Sequence, residues 1–120
     1  MNHVNFAETI ISKVLKNIPD EIDKICVETF INEELSFIDS FNGIKVLNST
    51  KYFEDGVFIY YRDGFVLVSV KSGIAKTKNI TDEIFVDIMV ASYTCKYLSL
   101  SQNDYSKEIK KFNKKITQYL

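Results

Sequence analysis

One stretch constrains the fold of this chain more than any other: VFIYYRDGFVLVSV, residues 57–70. Two runs of β-branched and aromatic residues flank Asp63-Gly64, and glycine readily takes the positive φ that tight hairpin turns need. The spacing predicts an antiparallel hairpin with Asp63-Gly64 as a two-residue turn and Arg62 opposite Phe65. That register assigns Val57, Ile59, Tyr61, Val66, Val68 and Val70 to one face, and Phe58, Tyr60, Arg62, Phe65, Leu67 and Ser69 to the other. The first set has the composition of a core. The second is anomalous, because the open face of an antiparallel sheet is normally polar. Either helices cover both faces, or the face built on Phe58, Tyr60, Arg62, Phe65 and Leu67 is an interface for another protein or a second copy of the chain. Aromatics grouped with an arginine are the residue types enriched in binding hot spots.

Helical patterns flank the hairpin. Phe6, Ile10, Val14 and Ile18 recur near helical spacing and predict a helix over residues 5–17. Pro19 fits a first helical turn, and Asp20, Glu21 and Asp23 suit the positive end of a helix dipole. A second helix is therefore expected from about residue 19 to Phe41, closed by Asn42-Gly43 as a left-handed cap. A competing reading makes residues 35–41 and 44–48 a hairpin, but Leu35, Phe37, Ile38 and Phe41 alternate poorly. Residues 44–48 read as a short strand, and residues 74–78 as a weaker fourth one. Thr81 is a good N-cap, with Asp82 and Glu83 in the first turn. The helix that follows, to about Leu98, is apolar on nearly every side and must be buried on most of them. Ser101, with Asp104 three residues on, resembles a capping box that opens a last helix. The order α-α-β-β-β-(β)-α-α predicts the α+β class: residues 1–120 as a single domain without a linker, an antiparallel three- to four-stranded meander packed with about four helices.

Composition narrows the function. A chain of 120 residues that is 46% hydrophobic, with nine Phe and seven Tyr, can build a core without staples. Cys26 and Cys95 lie far apart, each within an apolar segment, and no C-x-x-C pair occurs. They read as two buried thiols of a cytoplasmic, reducing compartment. The N-terminus lacks a signal-peptide pattern, and no apolar run is long enough to span a bilayer. Fourteen lysines against the single arginine Arg62, with many Ile and Asn, suggest an AT-rich genome, such as a low-GC bacterium or its phage. The net charge is −1, but residues 1–60 carry ten acids and five lysines while residues 61–120 carry ten bases and six acids.

Catalytic signatures are missing. The one histidine, His3, sits at a terminus, where an orienting partner for acid–base or nucleophilic work is hard to hold. Glu33-Glu34 and Glu54-Asp55 are sequence neighbours, which do not share a helix face. No phosphate loop, calcium loop or zinc spacing is present. The sequence predicts a non-enzyme with no catalytic residue, no cofactor and no metal. The last helix is more informative. Lys107, Lys110, Lys111, Lys114 and Lys115 fall on one face, with Tyr105, Ile109, Phe112, Ile116 and Leu120 opposite. Such a helix either docks by its apolar face with lysines in water, or binds nucleic acid or an anionic surface. The leading expectation is a small protein-interaction module, an adaptor, inhibitor or regulator acting through the aromatic hairpin face. A binder of nucleic acid or anionic surfaces through the lysine face is the alternative. A small-ligand sensor with a pocket between sheet and helices is the third.

Overall fold

The computed structural model describes residues 3–36, 43–47, 56–61, 64–100 and 106–119. These form α1 (His3–Leu15), α2 (Glu21–Ser36), β1 (Gly43–Leu47), β2 (Gly56–Tyr61), β3 (Phe65–Lys71), β4 (Ile74–Ile80), α3 (Asp82–Leu100) and α4 (Ser106–Tyr119). Side-chain caps define two of the starts. The Asp20 carboxylate accepts the backbone N–H groups of Ile22 and Asp23 at 2.9 and 3.0 Å, so Asp20 is the N-cap of α2 and Pro19 precedes the helix. Thr81 Oγ1 accepts the N–H of Ile84 at 3.2 Å and opens α3 in the same way. The fourth helix begins at Ser106, so the expected cap at Ser101 and Asp104 lies outside the described residues. The predicted end of the second helix, at Phe41 and Asn42, lies outside them as well. Leu35 belongs to α2, and β1 pairs with β2, which removes the competing hairpin from the residues that are described.

The four strands form one antiparallel meander in the order β1-β2-β3-β4. The β3–β4 connection is the two-residue turn. Ser72 and Gly73 have φ of 53° and 79°, the doubly positive conformation whose twist matches that of the flanking strands. The β2–β3 connection is longer than its Asp63-Gly64 signature predicts. Tyr61 pairs with Phe65, Ile59 with Leu67 and Val57 with Ser69, which leaves positions 62–64 between the strands. Gly64, with φ of 148°, takes the conformation that favours glycine.

This one-residue difference corrects the predicted faces. Residues paired across strands share a side, so Val57, Ile59, Phe65 and Leu67 lie together and all are buried. Phe58 and Tyr60 share the opposite side with Val66 and Val68. The hydrophobic effect favours the observed register, because it brings Phe65 and Leu67 to the core where the predicted one would bring valines. Phe65 stacks on Phe85 of α3 with centroids 3.9 Å apart, and Phe6 of α1 meets both rings edge-on at 5.7 and 5.6 Å. Three elements thus meet at one aromatic cluster.

The helices cover this inner face of the sheet. Ile10 and Val14 of α1, Val27 and Ile31 of α2, and Phe112 and Ile116 of α4 are buried around α3. Helix α3 contacts α1, α4 and β1, and Phe85, Ile88, Met89 and Tyr93 on it are fully enclosed. It is the central helix that its all-round apolar pattern predicts. Among the described residues no helix is long and apolar enough to cross a membrane.

Candidate protein interface

The expected interface residues separate in the structure. Phe65 is 2% exposed and Leu67 is fully buried, so both are core residues and neither offers a surface to a partner. Arg62 lies outside the described residues. Phe58 and Tyr60 remain on the outer side of the sheet, their rings stacked at 6.4 Å, with Phe58 partly buried and Tyr60 41% exposed. Val66, Val68 and Val70 beside them are only partly buried. The outer face is thus apolar and partly open. At β4 this face ends on Ala75, Thr77 and Asn79, all exposed, while Lys76 and Lys78 stand on the other side of the same edge strand, where exposed charge discourages edge-to-edge pairing of sheets.

A stronger surface is one that the sequence reading passed over. Helix α2 carries two apolar stripes at about 100° per residue. Val27, Ile31 and Leu35, spaced i, i+4, i+8, are buried against the core. On the other side of the helix, Ile22, Ile25, Cys26, Thr29 and Phe30 follow the i, i+3, i+4, i+7, i+8 template of an amphipathic stripe. This stripe faces water: Ile22 is 72%, Ile25 66% and Phe30 45% exposed. The Thr29 hydroxyl donates back to the Ile25 carbonyl at 3.0 Å, so the polar member of the stripe is bonded within the helix. Tyr97 of α3 extends the surface, meeting the Phe30 ring edge-on at 6.2 Å. Cys26, expected to be buried, is an exposed thiol on this face, while Cys95 is buried. An apolar neighbourhood in sequence does not bury a residue when the helix is apolar on both sides.

Beside this face lies a polar group without an evident role. The Tyr93 hydroxyl is enclosed, and no hydrogen bond of normal geometry reaches it. Burial raises its pKa far above the usual phenol range, and the nearby Glu34 carboxylate adds to the effect. The Lys96 ammonium lies 5.4 Å from the Tyr93 ring centroid and 3.8 Å from Glu34. Tyr97 is pushed up to about 12, by burial first and then by Glu34.

Helix α4 docks by its apolar face, with Phe112 and Ile116 buried. Lys107, Lys110, Lys111 and Lys114 are exposed, as the wheel predicts. Lys115 differs: it is partly buried, and its ammonium lies 2.9 Å from Asp87 of α3. Asp87 also accepts the Tyr119 hydroxyl, and that bond raises the pKa of Tyr119. An open groove of about 510 Å³ runs between α3 and α4, bordered by Asp87, Thr94, Lys111, Lys114 and Lys115. It lies away from the sheet, where the ligand-sensor reading places a pocket. Asp87 and Lys115 bond each other across it rather than converging on a guest.

Among the described residues no three His, Cys, Asp or Glu side chains converge to hold a metal ion. No protein-family model, curated protein or solved structure matches this chain.

Proposed function

We propose that this chain is a small, non-catalytic protein-interaction module of the cytoplasm, working as an adaptor, inhibitor or regulator. The observation that carries the reading is the outward stripe of α2. Ile22, Ile25, Cys26 and Phe30 form one contiguous exposed apolar stripe, the kind of patch that marks an interaction surface on a monomer. The core closes without them, since α2 already buries Val27, Ile31 and Leu35. The outer face of the sheet, at Phe58 and Tyr60, is a second and smaller surface of the same kind. Composition adds that the host is a low-GC bacterium or one of its mobile elements.

The test compares the wild-type chain with a double variant, Ile25→Asp and Phe30→Ser, as baits in extracts of the native host. Both substitutions are at exposed positions and should leave thermal unfolding nearly unchanged, within about 1 kcal/mol. Proteins retained by the wild type and lost with the folded variant support the reading. Identical captures by the two baits refute it. A second reading rests on Lys107, Lys110, Lys111 and Lys114, a cationic row suited to nucleic acid or an anionic surface. Capture of nucleic acid that falls steeply with salt and survives the α2 changes would favour it.

A further inference from the structure

We infer that the occupant of the outward α2 face is a basic amphipathic helix of another protein. The inference rests on the interface reading of α2 and adds the chemistry of the partner. Charge carries it. Helix α2 bears Glu21, Asp23, Glu28, Glu33 and Glu34 against Lys24 alone. At about 100° per residue, Asp23 and Glu34 fall along one margin of the apolar stripe, and Glu21 and Glu28 along the other. Glu33 falls at its C-terminal end. Lys24 lies 3.0 Å from Glu21, and Lys96 of α3 lies 3.8 Å from Glu34. Beyond those two pairs, Asp23 and Glu28 stand exposed on opposite margins. The result is an apolar strip bordered by acid on both sides. A complementary guest has apolar anchors at i, i+3 or i+4, and i+7, with lysines or arginines on both flanks.

The same charges disfavour other occupants. A two-fold dimer through α2 would set acidic margin against acidic margin, because an isologous interface meets its own surface. The basic helix of a second copy is not a candidate guest, because Phe112 and Ile116 of α4 are already buried 2% and 4% exposed in their own fold. Anionic lipid and nucleic acid are repelled by the margins.

The experiment titrates the full chain with three synthetic helical peptides that share one leucine stripe. Their remaining positions are Lys, Gln or Glu, and binding is followed by fluorescence anisotropy, with NMR shift mapping of the site. The expected result is that the Lys peptide binds at least about tenfold more tightly than the Gln peptide at low salt and that the Glu peptide does not bind. The margin should narrow as salt screens the carboxylates. Ile25→Asp should abolish binding of the Lys peptide, although it adds a negative charge. Asp23→Asn with Glu28→Gln should weaken only the preference for Lys over Gln. Equal binding of all three peptides, lost in Ile25→Asp, overturns the basic partner but leaves the interface reading standing. A wild-type dimer in sedimentation that Ile25→Asp dissociates overturns it in favour of a second copy. Lys-peptide binding that Ile25→Asp leaves unchanged or strengthens is attraction by charge alone, and it overturns both readings.

Discussion

The register of the β2–β3 hairpin can be tested with two single substitutions. In the observed register Leu67 faces the core, fully buried, and Tyr60 faces outward, 41% exposed. If Asp63-Gly64 were a two-residue turn, the two would lie opposite each other on one face and respond alike. Leu67→Ala removes a buried side chain from a position enclosed by sheet and helices and should cost about 2–5 kcal/mol. For a domain of this size each kcal/mol lowers Tm by roughly 4 °C, so the expected fall is about 8–20 °C. Tyr60→Ala loses part of a stack on Phe58 and a half-exposed ring, worth about 1 kcal/mol. Urea and thermal unfolding followed by far-UV circular dichroism measure both. The denaturant slope should stay constant, so that midpoints report stability alone. A double-mutant cycle adds the pairing itself: Ile59 and Leu67, which are opposite neighbours, should couple by a few tenths of a kcal/mol or more. Equal losses from Leu67→Ala and Tyr60→Ala, or coupling of Leu67 to Tyr60 and not to Ile59, would refute the register and the face assignment that depends on it.

Three further outcomes follow from the geometry. Gly73→Ala should cost about 1–2 kcal/mol purely through backbone conformation, since φ is 79° and a Cβ there would meet nothing within 4 Å; Ser72→Gly, at φ of 53°, should be neutral or stabilising in the same unfolding assay, and the reverse ranking would contradict the turn. Single charge reversals at Lys110 and Lys114 should leave Tm unchanged, whereas Lys115→Glu should lower it modestly by setting a second carboxylate beside Asp87; a Lys110 variant that unfolds would show the lysine row to be packed. The folded chain holds the Tyr93 and Tyr97 protons above the ordinary phenol value of 10.0 while the unfolded chain releases them, so stability is complete below pH 10 and falls as pH rises through the folded values, about 12 for Tyr97 and higher for Tyr93. Tyr93→Phe should flatten that alkaline loss and change neutral stability by less than about 1 kcal/mol, because no hydrogen bond of normal geometry reaches the enclosed hydroxyl and Glu34 is its one polar neighbour of consequence; a larger loss at neutral pH would show a firm bond to Glu34.

Much of this molecule is legible in the sequence because local patterns act locally. The all-round apolar run after Thr81 specifies a central helix wherever it sits, and Thr81 caps it through its own side chain. The lysine row of α4 and its buried Phe112 and Ile116 follow from helical spacing alone. The class and the strand order follow from turn residues and alternation. Two decisions needed the tertiary structure. The first is the β2–β3 register, since Asp63-Gly64 accommodates a two- or three-residue connection, and only the helices packed on the inner face favour Phe65 and Leu67 there. The second is the orientation of α2. Its sequence contains two apolar stripes on opposite sides, and helical periodicity treats them alike. Only the packing of α1 and α3 buries Val27, Ile31 and Leu35 and turns Ile22, Ile25 and Phe30, bordered by carboxylates, toward solvent. The candidate binding surface is therefore the side of α2 that the core leaves uncovered, and no local pattern in the chain distinguishes it from the buried side.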